Sequence, residues 1–221
     1  MGEASTRLND ITRKGDRLTA IAGKLPRFFV ESGFLNDADR EALLADSIAC
    51  ESEYEPTYVS QYHDGMVAHA VRNEKTRLSL KRKLKRRFKD LFRQGLDARK
   101  DRLRDAIGVE FPKDYQLEIE AVHSGDGAFF SRHIDTTRGD RTHHRVISAV
   151  YYYNRAPRGF TGGGLKLYSL DQQETAVVEP TDNTMVFFPS IFFHEVLPVS
   201  VPSGQFAAGR FSVNCWVNRI E

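Results

Sequence analysis

The chain has 221 residues, 32 Lys and Arg against 30 Asp and Glu, and a formal net charge of +2. That size allows one domain, or one domain with an extension, and is ample for a buried core. Two distant cysteines, Cys50 and Cys215, exclude a disulfide scaffold and a cysteine metal site, and are expected in a reducing, cytoplasmic setting. No apolar run approaches the ~20 residues of a membrane span, so no membrane partner is expected.

In chain order, the first ~110 residues read as helical and are expected to form a region, 1–110, that packs on a core domain at 111–221. Asn36 and Asp37 are plausible N-caps ahead of a Leu- and Ala-rich stretch at 38–44. Across 74–106, Leu80, Leu84, Phe88, Leu91, Phe92 and Leu96 recur mostly at three- and four-residue steps, an apolar stripe interrupted by Gly95. The basic residues at 81–87 lie on and around that predicted helix. They read either as a nucleic-acid or acidic-partner patch or as a solvated face balanced by Asp90, Asp97, Asp101 and Asp105. The second reading is preferred, because no aromatic stacking set accompanies the charges. His63 and His69 are expected in a loop between helices.

After Phe111-Pro112 the rhythm changes to short β-branched and aromatic segments punctuated by Gly, Pro, Asp and Asn. Strands are predicted at 116–123, 128–133, 146–153, 165–168, 175–178, 184–188, 194–199 and 210–217. Eight short strands without intervening helices indicate a double-sheet jelly roll or small barrel. The fold class is therefore mainly β with a helical N-terminal part.

The chemistry sits in Phe130-Ser131-Arg132-His133-Ile134-Asp135. Residues two apart on a strand share a face, so His133 and Asp135 are expected to project together. His194, 61 residues on, begins another predicted strand. Two histidines and a carboxylate cover one face of an octahedral metal and leave three positions open. Arg210 follows 16 residues later on an apolar strand, where a buried cation needs an anionic partner. Its planar fork suits a carboxylate, either a ligand's or that of an internal Asp or Glu.

Several segments carry a resemblance. They are His123-Ser124-Gly125-Asp126-Gly127-Ala128-Phe129-Phe130-Ser131-Arg132-His133-Ile134-Asp135; Arg145 through Val150-Tyr151-Tyr152-Tyr153-Asn154; Gly162-Gly163-Gly164-Leu165-Lys166-Leu167-Tyr168; His194-Glu195-Val196-Leu197-Pro198-Val199; and Arg210 through Trp216. In this order, over about 115–217, they resemble the prolyl 4-hydroxylase-like branch of the Fe(II)/2-oxoglutarate-dependent oxygenases.

The resemblance implies a double-stranded β-helix (jelly roll, cupin-like) core flanked by helices. It implies Fe(II) held by His133, Asp135 and His194, with 2-oxoglutarate and O2 as cosubstrates. It places the distal carboxylate of 2-oxoglutarate on Arg210 and Tyr152, with Val196 walling the pocket and His123 and Ser212 beside it. His123 stands where the family commonly carries a tyrosine. The implied reaction hydroxylates an unactivated C–H bond, best a prolyl or other amino-acid side chain of a protein or peptide. Small-molecule oxidation is the alternative, and a catalytically silent metal- or carboxylate-binding sensor a weaker one. The histidines of the 136–144 loop, His143 and His144, with Arg138 and Arg141, are expected to be exposed loop residues. Phe129, Phe130 and Trp216 are expected in the core, with Trp216 able to reach the pocket.

Overall fold

The computed structural model describes residues 26–56, 59–63, 66–71, 79–137 and 142–220, with backbone alone at 59–63 and 66–71. Its elements run β1 (Phe29–Ser32), α1 (Asp37–Ala49), β2 (Glu55–Pro56), β3 (Val59–His63), β4 (Met66–Val71), β5 (Ser79–Arg82), α2 (Arg86–Asp97) and α3 (Lys100–Ile107). They continue with β6 (Tyr115–Ser124), β7 (Phe130–His133), β8 (Arg145–Tyr153), β9 (Thr161–Gly162), β10 (Leu165–Tyr168), β11 (Thr175–Val178), β12 (Thr184–Pro189), β13 (His194–Val196), β14 (Val199–Ser200) and β15 (Arg210–Arg219).

Two antiparallel sheets make the core. The larger has the order β1-β12-β8-β15-β6-β5-β2 and the smaller β11-β10-β13-β7. This is the expected double-stranded β-helix. Alternation divides each strand of the larger sheet between two cores. Tyr151, Tyr153, Met185, Phe187, Phe211 and Val213 point to the helices, where they meet Leu43 of α1, Phe88, Phe92 and Leu96 of α2, and Leu103 of α3. Tyr152, Val186 and Phe188 point the other way, onto Leu165, Leu167 and Val178 of the smaller sheet. Each fully buried large side chain contributes roughly 1.5–3 kcal/mol, so both faces hold firmly.

The N-terminal part carries the three α-helices, and it also carries strands that periodicity did not predict. Asn36 caps α1 by accepting from the Asp39 backbone N–H at 2.9 Å. The single helix expected over 74–106 is instead β5, α2 and α3, within the described residues. Leu80 lies on a strand between β2 and β6, opposite His123, and α2 starts only after Lys85. Phe88, Phe92 and Leu96 do form the buried stripe of α2. Gly95 lies within α2, and its lack of a side chain admits the Phe34 ring, which would stand 2.5 Å from a β-carbon there. The backbones of His63 and His69 lie on β3 and β4 rather than in an interhelical loop, and their side chains fall outside the described residues.

The basic cluster is also redistributed. Lys81 pairs with Glu120, Arg82 and Lys85 with Asp46, Arg86 with Asp90 and Arg87 with Asp39. Arg82 is buried, so it belongs to the junction of α1 and β5 and not to a solvated helix face.

From 115 onward the predicted strands recur with small shifts, except that 194–199 divides. Pro198 has no N–H to donate, and the chain leaves β13 there to pair as β14 with β9. No described helix is long and apolar enough to cross a membrane.

Candidate metal and carboxylate site

His133 ends β7 and His194 begins β13, directly opposite in the smaller sheet. Asp135 lies just beyond β7, so it is not on the strand as its spacing suggested. Its position comes from loop anchors instead. The Asp135 N–H donates to Ser190 O at 3.1 Å, and Arg145 Nη1 donates to Asp135 O at 3.2 Å. The carboxylate then meets both imidazoles. Oδ1 is 3.6 Å from His133 Nε2 and Oδ2 is 3.5 Å from His194 Nε2. One ligand atom from each of the three residues falls within 4.8 Å of the others.

The protonation pattern follows from the partners. His133 Nδ1 lies 2.8 Å from Ser131 O and His194 Nδ1 3.0 Å from Phe192 O. A carbonyl only accepts, so both Nδ1 atoms carry a hydrogen, and the neutral form of each ring presents its lone pair at Nε2. Burial pushes the His194 imidazole down to about 4, against the pull of Asp135. For Asp135, burial favours the neutral acid. When protonated, the two imidazoles attract the carboxylate, and with a 2.6 Å hydrogen bond donated by Ser148 they outweigh it and hold the carboxyl below the usual range. With both rings neutral, two lone pairs and a carboxylate converge with no proton between them. That repulsive arrangement is satisfied by a divalent cation, and the nitrogen and oxygen donor set suits iron.

Ser148 spends its only proton on Asp135. Ser190 Oγ, 2.9 Å away, therefore donates to Ser148. This relay had no signal in the sequence, because its contacts join separate segments of the chain, whereas the Ser131 and Phe192 carbonyls each lie two residues before their histidine. Ser148→Ala is expected to weaken metal binding 10–100-fold, as loss of a group orienting a ligand does. Titration of Mn(II) followed by electron paramagnetic resonance measures it, and unchanged affinity would refute the orienting role.

The second feature lies on the face of the larger sheet that carries Ser148. Arg210 pairs in register with Ser124 of β6, and Ser212 with both Val122 of β6 and Tyr152 of β8. Arg210 is 2% exposed. Among the described residues no carboxylate pairs with it, which removes the alternative of an internal salt bridge. Its described hydrogen bond is a long one, 3.5 Å from Nη1 to Ser124 Oγ, and Nε has no partner. Its guanidinium carbon lies 4.7 Å from the Tyr152 ring centre. The Tyr152 hydroxyl is buried without a partner, and burial raises its pKa so that it keeps its proton. A cation and a hydroxyl donor with no acceptor make a built carboxylate subsite.

Ser212 is buried on this face, but its hydroxyl runs along the strand to Asn214 Oδ1 at 3.3 Å. Val196 joins the apolar cluster with Tyr152 and Leu165. Trp216 is half-buried on the pocket face, in register with Ser148 and under the Arg145 guanidinium at 4.2 Å. Arg145 itself clamps Glu118 through two hydrogen bonds of 2.6 and 3.0 Å. His143 is exposed and its ring lies against that of His144, while Arg138 and Arg141 fall outside the described residues.

His123 is not in the pocket. It pairs with Phe211, one register position from Arg210, and the pleat turns neighbouring positions to opposite faces. The ring stacks on Phe206 at 3.9 Å, and Nε2–H donates to Phe206 O at 2.9 Å. It thus braces the turn before β15 from the helix side. Burial pushes its pKa to about 4. An unfolded chain binds this proton near pH 6.5, so acidification favours unfolding between 6.5 and 4 and no further below. From pH 7.5 to 5 the loss is about 2 kcal/mol for this group. In urea unfolding, His123→Phe should flatten the pH dependence by that amount; an unchanged slope would contradict a buried neutral His123.

The comparisons agree with this site. Residues 119–218 match the family model described as the 2OG-Fe(II) oxygenase superfamily. They belong to that superfamily. This 2OG-Fe(II) oxygenase domain contains every residue of the cluster and of the carboxylate subsite. The superfamily works with Fe(II), 2-oxoglutarate and O2, and the convergent lone pairs and the unpartnered Arg210 and Tyr152 fit the first two. Over 198 residues the chain is 24% identical to an uncharacterized PKHD-type hydroxylase of Synechocystis sp., covering 84% of this chain and 61% of that protein. The chain thus spans about three fifths of the length of that curated relative. Two solved structures share the fold. One is a Pseudomonas putida prolyl-4-hydroxylase, with TM-score 0.63, 23% identity, and coverage of 89% of this chain and 94% of that one. The other is a Trichoplax adhaerens prolyl hydroxylase in complex with a hypoxia inducible factor peptide, with TM-score 0.63, 17% identity, and coverage of 86% and 83%.

Proposed function

We propose that the chain is an Fe(II)- and 2-oxoglutarate-dependent dioxygenase that hydroxylates an unactivated C–H bond, with a prolyl or other amino-acid side chain of a peptide or protein as substrate. The observation that carries the reading is the unpaired Arg210 and Tyr152 donors on the face of the larger sheet that also carries Ser148, which bonds Asp135 of the His133, Asp135 and His194 cluster. A dicarboxylate that also chelates metal satisfies both features at once.

In this reading His133, Asp135 and His194 hold Fe(II), and Arg210 and Tyr152 hold the distal carboxylate of 2-oxoglutarate. With both bound, O2 is reduced as 2-oxoglutarate is converted to succinate and CO2 and the substrate gains a hydroxyl group. Asp135 leaves the metal site with a residual positive charge that favours an anionic chelate. Val196, Leu165 and Phe188 give the pocket apolar walls that limit water. His133 is the most open ligand, with 30% of its side chain exposed, which favours substrate approach from that side. The peptide preference is supported by the peptide held by the Trichoplax neighbour. Nucleic acid is left out of this reading because Lys81, Arg82, Lys85, Arg86 and Arg87 all have carboxylate partners. A cytoplasmic location fits the two unpaired, buried thiols of Cys50 and Cys215.

Two measurements test the reading. Fe(II) with 2-oxoglutarate under anaerobic conditions should produce a weak visible charge-transfer band, and admitting O2 should yield succinate. Mass spectrometry of candidate proline-containing peptides should then find a product one oxygen heavier. Absence of both band and succinate would overturn the cofactor assignment. Succinate formation stimulated only by small metabolites would overturn the peptide assignment.

A further inference from the structure

A buried guanidinium without an acid beside it needs something else to hold its arm in place. Between β9 and β10, Gly163 is buried with φ +72°, and its N–H donates to Pro198 O at 3.0 Å. A β-carbon there would stand 2.7 Å from Arg210 Cδ, 3.2 Å from Arg210 Nε and 2.9 Å from Val199 Cγ2. The bare α-carbon of Gly163 is therefore in close contact with the Arg210 arm, next to the charged head. Gly162 has a different reason to be glycine, since a β-carbon there would meet Pro198 O at 2.2 Å, a backbone conflict.

We propose that Gly163 is a positioning residue for Arg210: its missing side chain is the space the arginine arm occupies, and that seating aims the guanidinium at the cosubstrate carboxylate. This rests on the proposed 2-oxoglutarate dependence. With Arg210 2% exposed and its head against Tyr152, the arm has no solvent to retreat into. A methyl at 163 therefore moves the guanidinium and should leave the metal ligands in place, since the three atoms nearest to it belong to Arg210 and Val199. The role also explains a Gly-Gly-Gly run in which the middle residue faces a functional side chain.

Alanine at a left-handed φ strains the backbone wherever it is placed. A matched control is Gly204, with φ +63° and nothing within 4 Å of where a β-carbon would stand, so Gly204→Ala brings the strain without the collision. Calorimetric titration of 2-oxoglutarate into the Mn(II)-loaded full chain without O2 reads the effect. Gly163→Ala should weaken 2-oxoglutarate binding at least tenfold with Mn(II) affinity within twofold of wild type, while Gly204→Ala leaves both within twofold. Wild-type 2-oxoglutarate affinity in Gly163→Ala, or parallel loss of Mn(II), overturns the proposal.

A second measurement is independent of cosubstrate. Gly163→Ala should lower the melting temperature less in an Arg210→Ala background than in wild type, because the arm it strikes is gone. Equal lowering in both backgrounds overturns the contact, as does a double variant that fails to fold while Gly204→Ala folds. If wild type binds no 2-oxoglutarate, the proposed function fails, and the melting comparison still decides whether Gly163 seats Arg210.

Discussion

Arg210→Ala is expected to weaken 2-oxoglutarate binding by two to three orders of magnitude and to leave metal affinity unchanged. The size follows from the burial. Truncating one side of a buried, hydrogen-bonded charge pair costs about 3–4 kcal/mol, because the other charge is left desolvated and unpaired. Arg210 is 2% exposed, so water cannot replace it at the carboxylate, and Tyr152 alone offers one neutral donor. The metal ligands lie on β7, β13 and the loop after β7, and none of them bonds to Arg210, so the two affinities separate. Without cosubstrate the variant should be about as stable as wild type or slightly more so, since an uncompensated buried cation has been removed. At saturating 2-oxoglutarate wild type should gain about 3 kcal/mol, the linkage expected near a hundredfold excess over Kd, and the variant almost nothing. Equal 2-oxoglutarate affinity in the two proteins would sink the carboxylate subsite.

Asp135→Ala is expected to weaken Fe(II) or Mn(II) binding on the order of a thousandfold and to abolish succinate formation. Asp135 is the only anionic member of the cluster, and its loss leaves two neutral imidazoles facing a dication in a buried site. Breaking a buried charge interaction of this kind costs about 3–5 kcal/mol. Ser148 would also lose the acceptor of its 2.6 Å hydrogen bond. Metal affinity should show the whole effect in a direct titration. Succinate production at wild-type rates in Asp135→Ala would remove Asp135 from the metal site, whatever its effect on stability.

Much of the β half could be read from local pattern. The runs at 165–168 and 175–178 coincide with β10 and β11, because alternation of apolar residues is itself the imprint of a half-buried strand. The N-terminal half was harder. Leu80 and Leu84 continue the stripe of Phe88 and Phe92, yet Leu80 pairs as a strand between β6 and β2, since the side of β6 that β15 leaves open competes with helix propensity. The strand β1 likewise exists because β12 offers it a partner, 150 or so residues away.

At the site, His133, Asp135, His194 and Arg210 were identified by residue type and order, and the structure brings the three ligand residues together. Other features waited for the tertiary structure. Parity on β6 put His123 on the helix side and Ser124 opposite Arg210, and that parity is set by pairing with β15, not by anything within residues 115–124. Ser148 reaches Asp135 from another strand. Arg210 lacks an acidic partner only because the fold surrounds it with Ser124, Tyr152 and Gly163.

The sequence by itself determined which atoms are available for chemistry, two imidazoles, a carboxylate and a guanidinium, and the period-two rhythm that carries them. The tertiary structure alone decided which face each occupies, which lone pairs converge and which charge is left unpaired. Those are properties of register and packing between segments far apart in the chain, and local pattern holds no record of them.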